Sequence, residues 1–157
     1  MRGGGAEGGF AMNLEGSTVV RGPKDRVFAF FLEPAALSTC VDDPHTVEIV
    51  DADHFQGTIR TGVGAIKGTF AWSAEIAERA PPERARVQVR GSGMGSGFDI
   101  DATVEFQEAA GATRIRWRAV VTMGGPIATL GARLLQGMID RKTAAFFEAV
   151  RKHLESQ

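Results

Sequence analysis

The sequence predicts an α+β domain, a curved antiparallel sheet of about seven strands wrapped around one long C-terminal helix, with two short helices between strands one and two. Three observations predict it. After residue 54, apolar and polar residues alternate through five consecutive segments joined by short turns, the pattern of half-buried antiparallel strands. The last part of the chain changes to helical period and keeps it to the end. Between the first strand and the strand run lie two short helical stretches divided by Pro34.

The elements come in this order. The stretch 1–11, "MRGGGAEGGFA", is read as a disordered tail, and 12–155 as a single domain. "MNLEGSTVVRG" is a strand with Leu14, Gly16, Thr18 and Val20 on one face. "PKDRVFAFFL" is a helix with Pro23 near its first turn; Pro34 ends it, and "PAALSTC" forms a second short helix. "HTVEIV" is a short strand. In "HFQGTIRTG" one face carries Phe55, Gly57, Ile59 and Thr61, and in "IKGTFAWSAEIAE" one face carries Ile66, Gly68, Phe70, Trp72, Ala74 and Ile76. After the "PPER" turn, "RARVQVR" puts Ala85, Val87 and Val89 inside. "TRIRWRAVVTM" does the same with Ile115, Trp117, Ala119, Val121 and Met123. From Ile127 to Leu154 the apolar residues Leu130, Leu134, Leu135, Met138, Ile139, Phe146, Val150 and Leu154 recur at three- and four-residue steps. A helix of about 28 residues spans roughly 42 Å, enough to cross the sheet.

The glycine-rich "RGSGMGSGFDIDATVEF" looks at first like a phosphate loop. No G-x-G-x-x-G closes within it, and its second half is a strand rather than a helix: Phe98, Ile100, Ala102, Val104 and Phe106 alternate with polar residues. The glycines belong instead to a tight connection at a pocket mouth, with Met94 as a flexible apolar plug.

Composition narrows the function. A net charge of −1 gives no basic excess for nucleic acid. Cys40 is the one cysteine, so no intramolecular disulfide forms, and a reducing, cytoplasmic location is expected. One Cys and three widely spaced His make no metal site. No run of 18 apolar residues exists to span a membrane. The inward positions of the later strands carry almost no ionisable group, Glu78 at a strand end being the exception. That is a poor setting for acid–base catalysis and a good one for an apolar ligand, so no catalytic residue is assigned. The expected pocket lies between long helix and sheet, lined by Phe55, Phe70, Trp72, Met94, Phe98, Trp117, Met123, Leu130 and Leu134, with hydroxyls from Thr61 and Thr18.

The element order is that of the helix-grip fold of the START and Bet v 1-like superfamily. Within it, "GTIRTGVGAIKGTFAWSAEI", "GSGMGSGFDIDATVEF" and "TRIRWRAVVTMGGPIATLGARLL" resemble the carbon monoxide dehydrogenase G-subunit family, from about Met12 to Leu154. The resemblance implies a non-enzymatic accessory protein of a molybdenum-hydroxylase system that binds a quinone or lipid, with transient membrane contact. A polyketide cyclase-like enzyme and a pure protein-assembly factor are the competing readings. In one place the chain departs from the family: an apolar-Pro-Gly sequence is common after the cysteine, whereas here Cys40 and Val41 lead to Asp42, Asp43 and Pro44. The departure falls near the expected cavity mouth.

Overall fold

A computed structural model describes residues 9–63 and 66–156. Residues 1–8 of the expected tail lie outside the described residues, while Phe10 and Ala11 already belong to the first strand. The elements run β1 (Phe10–Arg21), α1 (Lys24–Phe31), α2 (Pro34–Ser38), β2 (Glu48–Ile49), β3 (His54–Val63), β4 (Ile66–Ala80), β5 (Arg84–Gly93), β6 (Ser96–Ala109), β7 (Ala112–Gly124), a 3-10 turn (Pro126–Leu130) and α3 (Ala132–Glu155). The sheet is antiparallel in the order β1-β7-β6-β5-β4-β3-β2. Helix α3 lies along β1, one of the two edge strands.

Three local readings are corrected. The long helix does not begin at Ile127: Gly131, at φ 96, separates the 3-10 turn from a 24-residue α3, about 36 Å long. The break resets the helical phase, so Leu135 is fully buried and Leu134 points outward, 42% exposed. Glu78 does not face inward. A bulge between Ile76 and Glu78 sets Glu78 opposite Arg86 on the outer face, where it pairs with Arg84. The "HTVEIV" strand shrinks to Glu48–Ile49, preceded by a single bridge between His45 and Ile59.

The glycine-rich stretch is a β-hairpin. Met94 (φ 55) and Gly95 (φ 78) form its two-residue turn, the left-handed pair that suits the twist of adjoining strands. Ala110 (φ 52) and Gly111 (φ 87) form the equivalent turn between β6 and β7. Alanine is a poor occupant of that conformation, and asparagine a good one. Ala110→Asn should therefore raise stability by about 0.5–1 kcal/mol in urea denaturation; a loss of stability would contradict the turn geometry.

Outer-face charges pin the register. Arg86 reaches Asp101 through two hydrogen bonds of 2.9 and 2.7 Å, and Arg90 meets its register partner Asp99 at 2.9 Å. Glu105 stands opposite Arg116.

On the inner face the apolar residues condense into two cores rather than one. The first joins Val20, Val27, Phe28, Phe30, Cys40, Phe106, Ile115, Phe147, Val150 and Leu154, binding α1 and the end of α3 to the sheet. Phe106 is at its centre, with edge-on contacts to Phe28 and Phe31. The second joins Met12, Phe70, Val121, Met123, Ile127 and Leu135 under the start of α3.

Candidate functional site

Between the cores runs a band of inward-facing residues that joins neither. Phe55, Trp72, Val87, Val89, Ala102 and Ala119 belong to it and are only half-buried, whereas inward positions in the two cores are largely sealed. Ala74 and Ile76, in the same band, are buried without joining either core. Small residues make this band shallow: Ala102 and Ala119 are register partners at its β6–β7 end. A close-packed interior would not leave Val87 and Val89 half-buried. The result is an apolar trough on the inner face of the sheet, between the two cores. On the β1 side, a cleft of about 510 Å³ between strand edge and helix reaches Leu14, Thr18, Trp117 and Phe147.

The inner face of the sheet has a repeated construction. Gly16, Gly57 and Gly91 face Trp117, Trp72 and Phe98 as register partners. A Cβ on any of these glycines would overlap or crowd the ring opposite. Gly16 and Gly91 thus let a large ring lie flat against the sheet, while Gly57 makes room chiefly for the Thr46 carbonyl and then for the Trp72 ring. The space expected from the glycines is largely taken by rings.

The residues expected around one pocket are dispersed. Phe70 and Met123 are buried in the second core, and Phe98 and Leu130 pack against it. Met94 is 51% exposed at the hairpin tip, and its thioether rests over Gly68 rather than over the trough. Leu134 points away from the sheet. Trp117 stacks on Phe147 at 3.9 Å and 14°, so one ring face meets Phe147 and the other Gly16. It is a packing element. Phe55 and Trp72, in edge-on contact at 5.8 Å, remain in the trough. Thr61 lies beyond the Ile59–Phe70 row of the second core, opposite Gly68, and its hydroxyl donates to Asp43 Oδ2 at 2.7 Å.

That contact exposes what strand parity missed. Asp43 Oδ2 also accepts from Lys142 Nζ, at 2.7 Å. Burial alone would raise the Asp43 carboxyl, but hydrogen bonds from Lys142 and Thr61 hold it below the usual carboxylate range. Neither Asp43 nor Lys142 lies on a strand, so alternation carried no sign of them; the departure after Cys40 was the available signal. Cys40 itself is buried in the first core, and burial pushes its thiol up. His54 is exposed and bonds Asp51 at 2.8 Å, away from the trough. Among the described residues, no helix is long and apolar enough to cross a membrane.

Comparison with known proteins agrees with this fold. The family model for CoxG, the G subunit of carbon monoxide dehydrogenase, matches residues 16–155. A comparison with curated proteins gives no match. Among solved structures, a conserved protein from Geobacillus kaustophilus is similar at a TM-score of 0.86 and 22% identity, covering 92% of this chain and 96% of that one. An uncharacterized protein from Rhizobium leguminosarum is similar at 0.66 and 19%, with 95% and 97% covered. Ara h 8.0201 is similar at 0.67 and 12%, with 94% and 100% covered. These likenesses establish the Bet v 1-like, helix-grip fold. With the family model matched over residues 16–155, the chain belongs to the carbon monoxide dehydrogenase G-subunit (CoxG) family.

Proposed function

We propose that this protein is a non-catalytic, cytoplasmic carrier of a neutral lipophilic molecule, a quinone or lipid, and that it serves a molybdenum-containing hydroxylase of the carbon monoxide dehydrogenase type. The observation that carries the reading is the half-buried apolar band between two sealed cores. An apolar ligand would cover it and gain about 25 cal/mol per Å². The band presents no ionisable side chain from its strands, so a buried carboxylate or phosphate would cost several kcal/mol. A flat neutral ring has no such cost and can lie against Trp72. The family name supports the choice of partner.

Native mass spectrometry of protein purified with its lipids retained tests this directly, with an apolar adduct as the expected result. Absence of any adduct, together with no uptake of a neutral apolar fluorophore such as N-phenyl-1-naphthylamine, would overturn the carrier reading. A quinone titration adds detail. A bound quinone should quench indole fluorescence, and Trp72→Phe should remove more of the quenching than Trp117→Phe, because both faces of Trp117 are already covered. The reverse order would place the ligand elsewhere.

A further inference from the structure

The two edges of the sheet are finished differently. At one, β2 is only Glu48–Ile49, and the segment ahead of it covers β3 through Thr46 N to Thr58 O at 2.9 Å and Arg60 N to Pro44 O at 2.8 Å. At the other, β1 pairs with β7 without a register break from Phe10 to Arg21, and no described strand flanks its far side. Natural edges are commonly blunted by Lys, Pro or a bulge; β1 has none of these. Two observations fix where its backbone groups point. The Arg21 amide donates to Glu155 Oε2 on α3 at 3.0 Å, away from β7. In an antiparallel strand every second residue turns its N–H and C=O to the same side, so Asn13, Glu15, Ser17 and Val19 turn theirs away from β7 as well. The β6–β7 turn gives the same parity. Its two residues, Ala110 and Gly111, join Ala109 to Ala112 as a hydrogen-bonded pair. Ile115 and Trp117 therefore face β1, where their partners are Thr18 and Gly16. Among the described residues, the outward backbone groups of Asn13, Glu15, Ser17 and Val19 have no hydrogen-bond partner.

Beside this edge lies the cleft of about 510 Å³ between β1 and α3. Leu14, Trp117 and Phe147 give it an apolar floor, and its charged residues are all acidic: Glu15, Asp140 and Glu148. Arg151 pairs with Glu148. Asp140 accepts only from Gln136, at 3.0 Å, and Glu15 forms no ion pair among the described residues, although Arg118 is its register partner. We propose that the β1 edge and this cleft form a docking site for an extended segment of a partner protein in which basic and apolar side chains alternate. Such a segment would lie about 4.8 Å from β1 and take up its free amides and carbonyls. One row of its side chains would enter the apolar floor under α3, and the other would lie beside Glu15. A second copy of this chain is a poor occupant, because β1 set against β1 brings two sets of carboxylates into one place. The proposal stands on the strand edge and does not depend on what the apolar band carries.

The test is fluorescence anisotropy of a fluorescein-labelled peptide of about nine alternating Lys and Val residues, titrated with the full chain. Saturable binding with a Kd below about 1 mM is expected. The same peptide with Glu in place of Lys should bind at least about tenfold more weakly. N-methylation of alternate backbone amides should abolish binding on one parity and spare it on the other, since only one edge of the peptide pairs with β1. Glu15→Gln and Asp140→Asn should each weaken binding about two- to fivefold. Ser17→Pro removes an amide that faces away from β7, so it should leave the sheet paired and weaken binding at least about tenfold. Urea unfolding checks each variant, and if Ser17→Pro does not fold, the two N-methylated peptides decide. No saturable binding, equal loss on both parities, or indifference to both acidic substitutions overturns the proposal. So does dimerisation of the free chain that Ser17→Pro abolishes, which would assign the edge to a second copy.

Discussion

Replacing Trp117 by alanine is expected to lower the free energy of unfolding by about 3–5 kcal/mol, a large part of the roughly 5–15 kcal/mol that holds an ordinary domain together. The indole is clamped between Gly16 on β1 and the Phe147 ring on α3, so it fastens the helix to the sheet. Its removal leaves the Phe147 face without a partner and a cavity that neither backbone can close. Gly16→Val attacks the same clamp from below. A Cβ there overlaps the indole, and overpacking of this kind costs about 1–3 kcal/mol. The double variant should cost less than the sum, since the valine would occupy part of the space the indole leaves. Far-UV circular dichroism in urea reads all three without relying on tryptophan fluorescence. Additive losses would mean that Gly16 and Trp117 act independently.

Filling the trough should have the opposite profile. Ala119→Leu and Ala102→Leu add bulk at the β6–β7 end of the half-buried band, where the two alanines are register partners. In a solid core such additions cost about 1–3 kcal/mol. Here each should change stability by less than about 1 kcal/mol and weaken binding of N-phenyl-1-naphthylamine at least about tenfold, because the new side chain takes the ligand's place. Both quantities come from one urea titration and one fluorescence titration per variant. A large loss of stability with unchanged affinity would show that the band is packed core.

Alternation along β3 to β7 made the inner and outer faces legible, because a period of two leaves little choice once one face is apolar. It could not tell Trp72 from Trp117. Both share the inward parity, and the difference is Phe147, which approaches Trp117 from the far end of the chain. Leucine spacing extended the long helix through Leu130, since a positive φ at Gly131 leaves no trace in an apolar period. Glu78 read as inward because parity assumes an unbroken strand, and the bulge beside it breaks the count. The Asp43–Lys142 contact joins residues 99 positions apart, one in a loop and one on a helix, so no local pattern announced it.

The separation of the two cores has an evolutionary consequence. Substitutions among Val87, Val89, Ala102 and Ala119 reshape the surface offered to a ligand while leaving untouched the clusters around Phe106 and Leu135 that keep the chain folded. If the protein is a carrier, a lineage can therefore change its cargo in small steps, each spared the loss of folding that mutations in a functional pocket often bring. Variation among relatives should accordingly concentrate at the equator of the sheet and fade toward its poles.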